Sequence, residues 1–526
     1  MTAATTTAHL AAQAAHTVSA AESASAVQSV DWLAIAPPTV VAAAALVLLV
    51  ADLFLDGRRK RLLGPAAAAF LVIAALPLLA LRTRSAKTFC LTASPETCSY
   101  QADTFALVIQ FLVLAAAFVT ALLSMTSVRE QRLPAGEFWF LLLSATAGAA
   151  LIPASRDLVT LVIALEVASL PAFALVGLRR GDARSSEAAL KFFLSSVTAT
   201  AVTLLGASFV YAATGTLHLS RMDEALRHTD PRLTTLAAGG VVLTLVGFAF
   251  KAAVVPFHFW VPETYTGAPV PVAAFLSVVG KTAGLSGLIL LTVRGFASRS
   301  DLWGPALAVL AALTMTLGNT AALRQRADQL RGGVRLLAWS SVGQAGYLLV
   351  PLAAAAHEAG GDRRATLAAV GATVAYLLMY AAVNLGAFAV VAHVARTSGG
   401  SNRLSDYRGL YAAHPLAALA LGFFLLCLAG LPPGLVGLFA KVAVFHAAVG
   451  NGLGWLAVVM AVNVVIALYY YLRWTALLFR PAPDAAPARM RLPAPLSAAV
   501  ALTAIAAIAL SLWPELVLTY AGTGLQ

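Results

Sequence analysis

Apolar stretches long enough to cross a lipid bilayer recur along almost the whole chain, and that recurrence decides what it can fold into. Hydrocarbon about 30 Å thick needs roughly 20 apolar residues per helix. Such stretches lie at 37–55, 62–81, 103–126, 137–153, 157–178, 187–213, 236–256, 270–293, 304–323, 336–356, 366–395, 415–446, 453–479 and 494–519. They predict an all-α polytopic membrane protein with about fourteen transmembrane helices. Composition points the same way: 60% of residues are hydrophobic and only 11% charged, against roughly 25% charged in a soluble domain. Too few charges exist to clothe a soluble core of this size. The connectors 82–102 and 214–235 are the longest, and at about twenty residues they are too short to bury cores of their own. Proline removes a backbone donor and clashes with the preceding turn. The stretches containing Pro256 and Leu431-Pro432-Pro433-Gly434 are therefore expected to be broken rather than straight.

The basic residues that give the net charge of +12 fall as short clusters between apolar stretches, not as one patch. That excludes a nucleic-acid surface and speaks for membrane topology. With an even number of spans and the N-terminus outside, the inner connectors hold nineteen Lys and Arg against eleven in the outer ones. Positive charge collects inside, so both termini are predicted outside. The first thirty residues are rich in Ala, Thr and Ser and contain no Lys or Arg. They lack the basic start and apolar run of a secretory signal and read as a poorly ordered polar tail. The chain then divides into three helices over 31–135, a unit over 136–300 with a break near Pro256, a second over 301–480 with a break near Pro432, and a last helix within 481–526. Cys90 and Cys98 share the outer connector 82–102, while Cys427 lies in a span. An oxidising outer side allows a Cys90–Cys98 disulfide, and two unpaired loop thiols fit the sequence equally.

Charges placed inside spans carry the functional signal. Lys191, Lys251, Lys281, Lys441 and Arg473 are the basic residues left within spans, and Glu166 falls at the centre of 157–178. Arg473 lies near a helix end and can extend to the interface. A charge at the bilayer centre costs roughly 2.5–3.5 kcal/mol even on the lenient scale, so four cost on the order of 10 kcal/mol. Such groups must pair, reach water, or be neutral part of the time, and an amine kept from water gives up a proton more readily. A single Glu–Lys pair would serve to fix helix packing. Three central lysines with one glutamate leave a surplus of bases, which suits a proton relay rather than a static pair.

Two segments also echo each other. Gly247-Phe-Ala-Phe-Lys251 is followed by Pro256-Phe257-His258, and Gly437-Leu-Phe-Ala-Lys441 by Phe445-His446. Interrupted helices at matching positions of two halves point to transporters built from inverted repeats. Both imidazoles, His258 and His446, titrate near neutrality and could pass protons, or could only hydrogen-bond between helices. No spacing of Cys, His or carboxylates matches a metal set, and no phosphate-binding loop, dinucleotide fingerprint or catalytic triad is present. The residues give no reason to expect bound nucleotide or covalent chemistry in this chain.

The run Phe250-Lys251-Ala-Ala-Val-Val-Pro256-Phe257-His258-Phe-Trp260-Val-Pro262-Glu263-Thr-Tyr265-Thr-Gly267-Ala268-Pro269 resembles the signature of the antiporter-like subunits shared by respiratory complex I, the proton-pumping NADH:quinone oxidoreductase, and the Mrp cation/proton antiporters. Gly280-Lys281, Gly318-Asn319, Ser340-Ser341…Gly346-Tyr347 and Gly430-Leu-Pro432-Pro-Gly434…Lys441 are similar to it as well, so the resemblance spans about 100–480. It implies two inverted five-helix repeats, each with one broken helix, and a proton path through Glu166, Lys191, Lys251, Lys281 and Lys441. Within the family, Leu165-Glu166…Ser169-Leu170-Pro171, Ser186-Glu187…Lys191 and Tyr469-Tyr470-Tyr471-Leu472-Arg473 resemble the N-type subunits of complex I. M-type subunits usually carry Glu where Lys441 stands, and L-type subunits continue past the fourteenth span. Gln344 stands where some members carry a histidine, so no step assigned to that histidine transfers here. The resemblance implies a bacterial plasma-membrane subunit that moves protons while partners reduce quinone. FMN, iron–sulfur clusters and quinone would be held by other subunits, and M-type and small membrane subunits would adjoin this one. The alternative it allows is the corresponding subunit of an Mrp-type Na⁺/H⁺ antiporter.

Overall fold

A computed structural model describes residues 30–92, 94–358, 363–481 and 491–514. The expected polar tail lies outside these residues, apart from Val30. Thirteen helices among them are long and apolar enough to span a bilayer. They include α1 (Trp32–Phe54), α2 (Leu63–Leu81), α3 (Thr104–Glu130), α4 (Ala135–Leu151), α5 (Leu158–Val176) and α6 (Ala183–Thr214). A short amphipathic α7 (Leu219–Arg227) lies in the connector before α8 (Thr234–Lys251). Next come α9 (Trp260–Gly267), α10 (Val270–Phe275), α11 (Lys281–Leu290), α12 (Ser300–Leu323), α13 (Gly332–Glu358) and α14 (Arg363–Thr397). The one-turn α15 (Leu410–Ala413) precedes α16 (Pro415–Ala429), α17 (Leu435–Gly450), α18 (Gly454–Phe479) and α19 (Ala494–Leu512). The expected span 415–446 is thus two short apolar helices, α16 and α17.

The connector 82–102 departs from an all-α chain. It folds as an antiparallel hairpin, β1 (Ala86–Leu91) against β2 (Ser94–Ala102), with Cys90 opposite Cys98 and the two joined by a disulfide. Alternating burial along the strands turns Ala86, Thr88, Cys98, Tyr100 and Ala102 toward the bundle.

Connectors sort onto two faces. On the face richer in arginine, Arg396 pairs with Glu130 at 2.7 Å, Arg331 with Asp182 at 3.3 Å and Arg335 with Glu263 at 2.8 Å. Arg179 donates to Gln131, and Gly409 to the carbonyl of Arg480. On the opposite face, Asp103 is buried and takes both Arg156 at 2.7 Å and Arg294 at 3.0 Å. There Ser298 donates to Asp223, and Asp157 bridges to His218. From Asp103 to Arg335 these connectors alternate between the two sets in chain order.

Helix packing relies on close backbone approach rather than on hydrophobic force, which lipid does not supply. Gly318 of α12 lies against Gly343 of α13, where an added Cβ would meet backbone. Both anticipated breaks are present and are entered from opposite faces. α8 stops at Lys251, and Ala253 takes a left-handed φ of 66°. Val254 N–H returns to Ala249 O at 3.0 Å, a helix-closing bond of the Schellman kind. Thr314 receives Val255 N–H at 3.0 Å and Trp260 donates its indole N–H to Phe250 O at 3.0 Å. α16 ends in the same way, with Gly430 at φ 84° and Leu431 N–H on Leu426 O. Backbone groups freed by a break inside a membrane must find partners within the protein, and these four do.

Arg59, Arg227 and Arg326 are all solvent-exposed, so cysteines placed there report sidedness rather than burial. With the arginine-rich face inside, cysteines at 59 and 326 should escape an impermeant thiol reagent applied outside, while one at 227 should label. The reverse pattern would invert the topology.

Candidate functional site

Three lysines sit in the interior, two at a discontinuity in their own helix and one facing a break between helices. Lys251 is the last residue of α8, so its position is set by the break. Lys281 opens α11 directly after the π-turn Leu276–Gly280, and a second π-turn, Leu291–Gly295, closes that helix. Lys441 lies on α17 and reaches back across the second break to the end of α16. They are 2%, 1% and 5% exposed. Among the described residues, no carboxylate comes within 4.0 Å of any of the three.

Their partners are neutral. Lys251 Nζ donates to Ser169 Oγ at 2.8 Å. Lys281 Nζ donates to Ser341 Oγ at 2.8 Å and to the Ser341 carbonyl, and lies 5.0 Å from the Tyr380 ring centre. Lys441 Nζ takes the carbonyls of Ala429 at 2.5 Å and Leu428 at 3.1 Å, the unpaired acceptors at the end of α16. A hydroxyl can accept from an ammonium or donate to an amine simply by rotating. Ser169 and Ser341 therefore suit either protonation state of the lysine each one holds, which a carboxylate partner would not.

Polar side chains continue from Lys281 toward Lys441. Ser341 Oγ is 2.9 Å from the Tyr380 hydroxyl, and Tyr380 donates to Ser277 O at 3.3 Å. Tyr376 donates to Gln344 at 2.5 Å, Gln344 to Tyr471 at 3.3 Å, and Tyr471 shares a 2.5 Å bond with Ser340. A cavity of about 20 Å³ lined by Gln344, Tyr376, Tyr380 and Lys441 has room for one water. Asn319 joins Tyr347, Tyr470 and Asn463 beside it, and the Lys441 ammonium lies 5.8 Å from the Tyr347 ring centre.

The remaining candidates are placed differently. Glu166 is half-buried and accepts Thr200 Oγ1 at 2.6 Å. It lies one turn from Ser169 on α5 and makes no ion pair with Lys251. Lys191 stands apart from the buried set: its side chain is 54% exposed and pairs with Glu187 at 2.5 Å, one turn earlier on α6. His258 is half-buried in the first break, 5.8 Å from the Trp339 ring, with Nδ1 unpartnered. His446 is exposed on α17, although Lys441 on the same helix is buried, because five residues put them on different faces. Helical geometry separates what the repeated Lys…Phe-His spacing joined. Ser341, Tyr376, Tyr380 and Asn319 carry the bridge, and sequence reading gave them no role. Ser340-Ser341 and Gly318-Asn319 lay in recognisable stretches, but hydroxyl and amide groups in a span show no cost that marks them as charges do.

The profile of the family described as "NADH:quinone oxidoreductase/Mrp antiporter, TM" matches residues 155–467, more than half of the chain. NADH-quinone oxidoreductase subunit N 2 of Streptomyces griseus is 65% identical over 520 residues, covering 96% of each chain. NADH-quinone oxidoreductase subunit N of Geobacillus kaustophilus is 40% identical over 92% of this chain and 95% of its own. Among solved structures, a chain of respiratory complex I from Thermus thermophilus superposes with a TM-score of 0.73 at 32% identity, covering 92% of this chain and 98% of that one. A chain of the Mrp complex from a Dietzia species shares the fold, with a TM-score of 0.77 at 21% identity over 94% and 96% of the two chains. Sequence and fold agree that this chain belongs to the membrane antiporter-like family of NADH:quinone oxidoreductases and Mrp antiporters, within its subunit N group.

Proposed function

We propose that this chain is a membrane-arm subunit of NADH:quinone oxidoreductase that moves protons across the bacterial plasma membrane, driven by quinone reduction in partner subunits. The observation that carries the reading is the set of three buried lysines held by neutral partners, a rotatable serine hydroxyl for Lys251 and for Lys281 and helix-end carbonyls for Lys441. A static charge in this interior would call for a fixed counter-charge. A proton carrier needs partners that tolerate both of its states. The high identity to subunits N, set beside fold-level likeness to the Mrp complex, favours the oxidoreductase over the antiporter.

On this reading the arginine-rich face is inner and both termini are outer. The chain holds no redox centre; FMN, iron–sulfur clusters and quinone belong to partners, and M-type and small membrane subunits adjoin it. The two halves, 136–300 and 301–480, are inverted copies, which accounts for breaks entered from opposite faces. Lys251 takes a proton with Glu166 acting on it electrostatically, Lys281 relays it, and Lys441 hands it toward the outer side. Like charges in a poorly polarisable interior repel, so a proton on one lysine opposes a proton on the next. Lys191 and His258 lie toward the inner side, where they serve proton uptake.

Glu166→Gln should leave the complex assembled and slow NADH-driven proton uptake into vesicles. An assembled Gln variant that pumps at the normal rate makes Glu166 structural. Lys281→Met and Lys281→Arg should both impair pumping, since a guanidinium keeps its proton. Loss of a positioned proton carrier slows transfer through this chain by about a hundredfold or more. Full pumping with Arg at 281 would mean that only the charge matters there.

A further inference from the structure

The arginine-rich face encloses a cavity of about 660 Å³, within the size range of ligand pockets. Five arginines line it, Arg132, Arg179, Arg180, Arg331 and Arg396, against two carboxylates, Glu130 and Asp182. They come from separate parts of the chain: Arg132 follows α3, Arg179 and Arg180 follow α5, Arg331 precedes α13 and Arg396 ends α14. Their pairing is incomplete. Arg179, at 3.8 Å, and Arg331, at 3.3 Å, share the single Asp182, and Arg396 bonds Glu130 through its Nε at 2.7 and 2.8 Å. Among the described residues, Arg132 and Arg180 make no ion pair. The paired guanidiniums are drawn in from solvent, with the Arg179 and Arg331 side chains 19% exposed. Burial and the neighbouring Arg331 pull the Arg179 guanidinium down to about 10, the direction that an excess of positive charge gives. Arg132 and Arg331 also stand at positive φ, 50° and 57°. A turn that mattered only for the path of the chain would take glycine or asparagine there.

We propose that this cavity binds a phosphate group, carried by an anionic phospholipid headgroup or by a soluble phosphate. Guanidinium forks match phosphate oxygens in pairs, and five of them against two carboxylates leave three positive charges for an anion to neutralise. Basic pockets between membrane helices are the usual seats of anionic headgroups. Apolar side chains complete the wall, among them Leu123 of α3, Val270 of α10 and Leu496 of α19. They suit the ester and first methylenes of a lipid better than a hydrated soluble ion. A bound phosphate supplies the counter-charge that the connectors lack and ties the ends of α3, α5, α13 and α14 together. The site is separate from the proton path, since no lysine lines the cavity.

The test uses the assembled complex in lipid nanodiscs, which expose both membrane faces. Three conditions are compared: phosphatidylcholine alone, phosphatidylcholine with phosphatidylglycerol, and phosphatidylcholine with inorganic pyrophosphate in solution. Modification of arginines by phenylglyoxal is followed peptide by peptide. Arg132 and Arg180 should react roughly tenfold more slowly with a phosphate ligand at about ten times its Kd. Arg326, exposed on the same face outside the cavity, should keep one rate throughout. Slowing with phosphatidylglycerol alone assigns the lipid headgroup, slowing with pyrophosphate alone assigns a soluble phosphate, and slowing with both assigns the phosphate group itself. Arg331→Gln removes one charge-assisted bond, weakens binding roughly tenfold and should leave about twofold protection. Asp182→Asn keeps a capping side chain at the start of α6 and removes the competing carboxylate, so protection should deepen. A cluster that only pairs connectors predicts instead that Asp182→Asn speeds modification of Arg179 and Arg180 in every disc. That outcome, equal slowing at Arg326 from diffuse surface charge, or equal rates with and without phosphate overturns the site.

Discussion

An ammonium taken from water into a protein interior loses several kcal/mol of solvation that its surroundings must return. Lys251, Lys281 and Lys441 meet that demand without a carboxylate at ion-pair distance among the described residues. What replaces water is a serine hydroxyl for Lys251, a serine hydroxyl and carbonyl with a tyrosine face for Lys281, and helix-end carbonyls for Lys441. The architecture around them follows from this requirement. Regular helices hide their carbonyls in their own ladders, so a polar interior without charges has to be made from interrupted ones. The break after Lys251, the π-turns flanking Lys281 and the break spanned by Lys441 are those interruptions.

Interruption destabilises a membrane helix unless its backbone groups are taken up nearby. Thr314 and the Trp260 indole do this at the first break, and Lys441 does it at the second. Lys441 therefore caps α16, since a cation at a helix C-terminus meets the negative end of its dipole. Between the two breaks, tyrosines and Gln344 form a bridge in which the Ser341–Tyr380 and Ser340–Tyr471 hydroxyl pairs can donate in either direction. Gln344 donates to Tyr471 and accepts from Tyr376, so an amide occupies the junction between them. It orders the hydroxyls around it without binding a proton itself.

Most of the fold was legible because lipid leaves few options. Span length and proline position gave the crossings and both breaks to within several residues. The hairpin over 86–102 was not legible as such. Its short alternation of buried and exposed residues is weak beside the helical signal, and pairing in a connector leaves little trace in composition. At the site, burial separated what spacing had grouped. Lys251, Lys281 and Lys441 were visible as charges in apolar runs, and so was Lys191, yet Lys191 faces outward with Glu187. His446 stands in the repeated motif but on the exposed side of α17. Which face of a helix is inside depends on neighbours tens or hundreds of residues away, and a single sequence does not supply them. The same limit hid Ser341 and Tyr380, whose importance comes from contacts with α11 rather than from their own chemistry.

The central claim is that the buried lysines exchange protons and do not merely carry charge, and Lys441 tests it most directly because its carbonyl partners favour a fixed cation. The measurement is the number of protons taken up per NADH oxidised in vesicles holding the assembled complex, with Lys441 replaced by Met or by Glu. Met cannot hold a proton, and Glu can bind and release one while reversing the sign of the charge. The account predicts a lower ratio with Met and a ratio near wild type with Glu. A wild-type ratio with Met would contradict it.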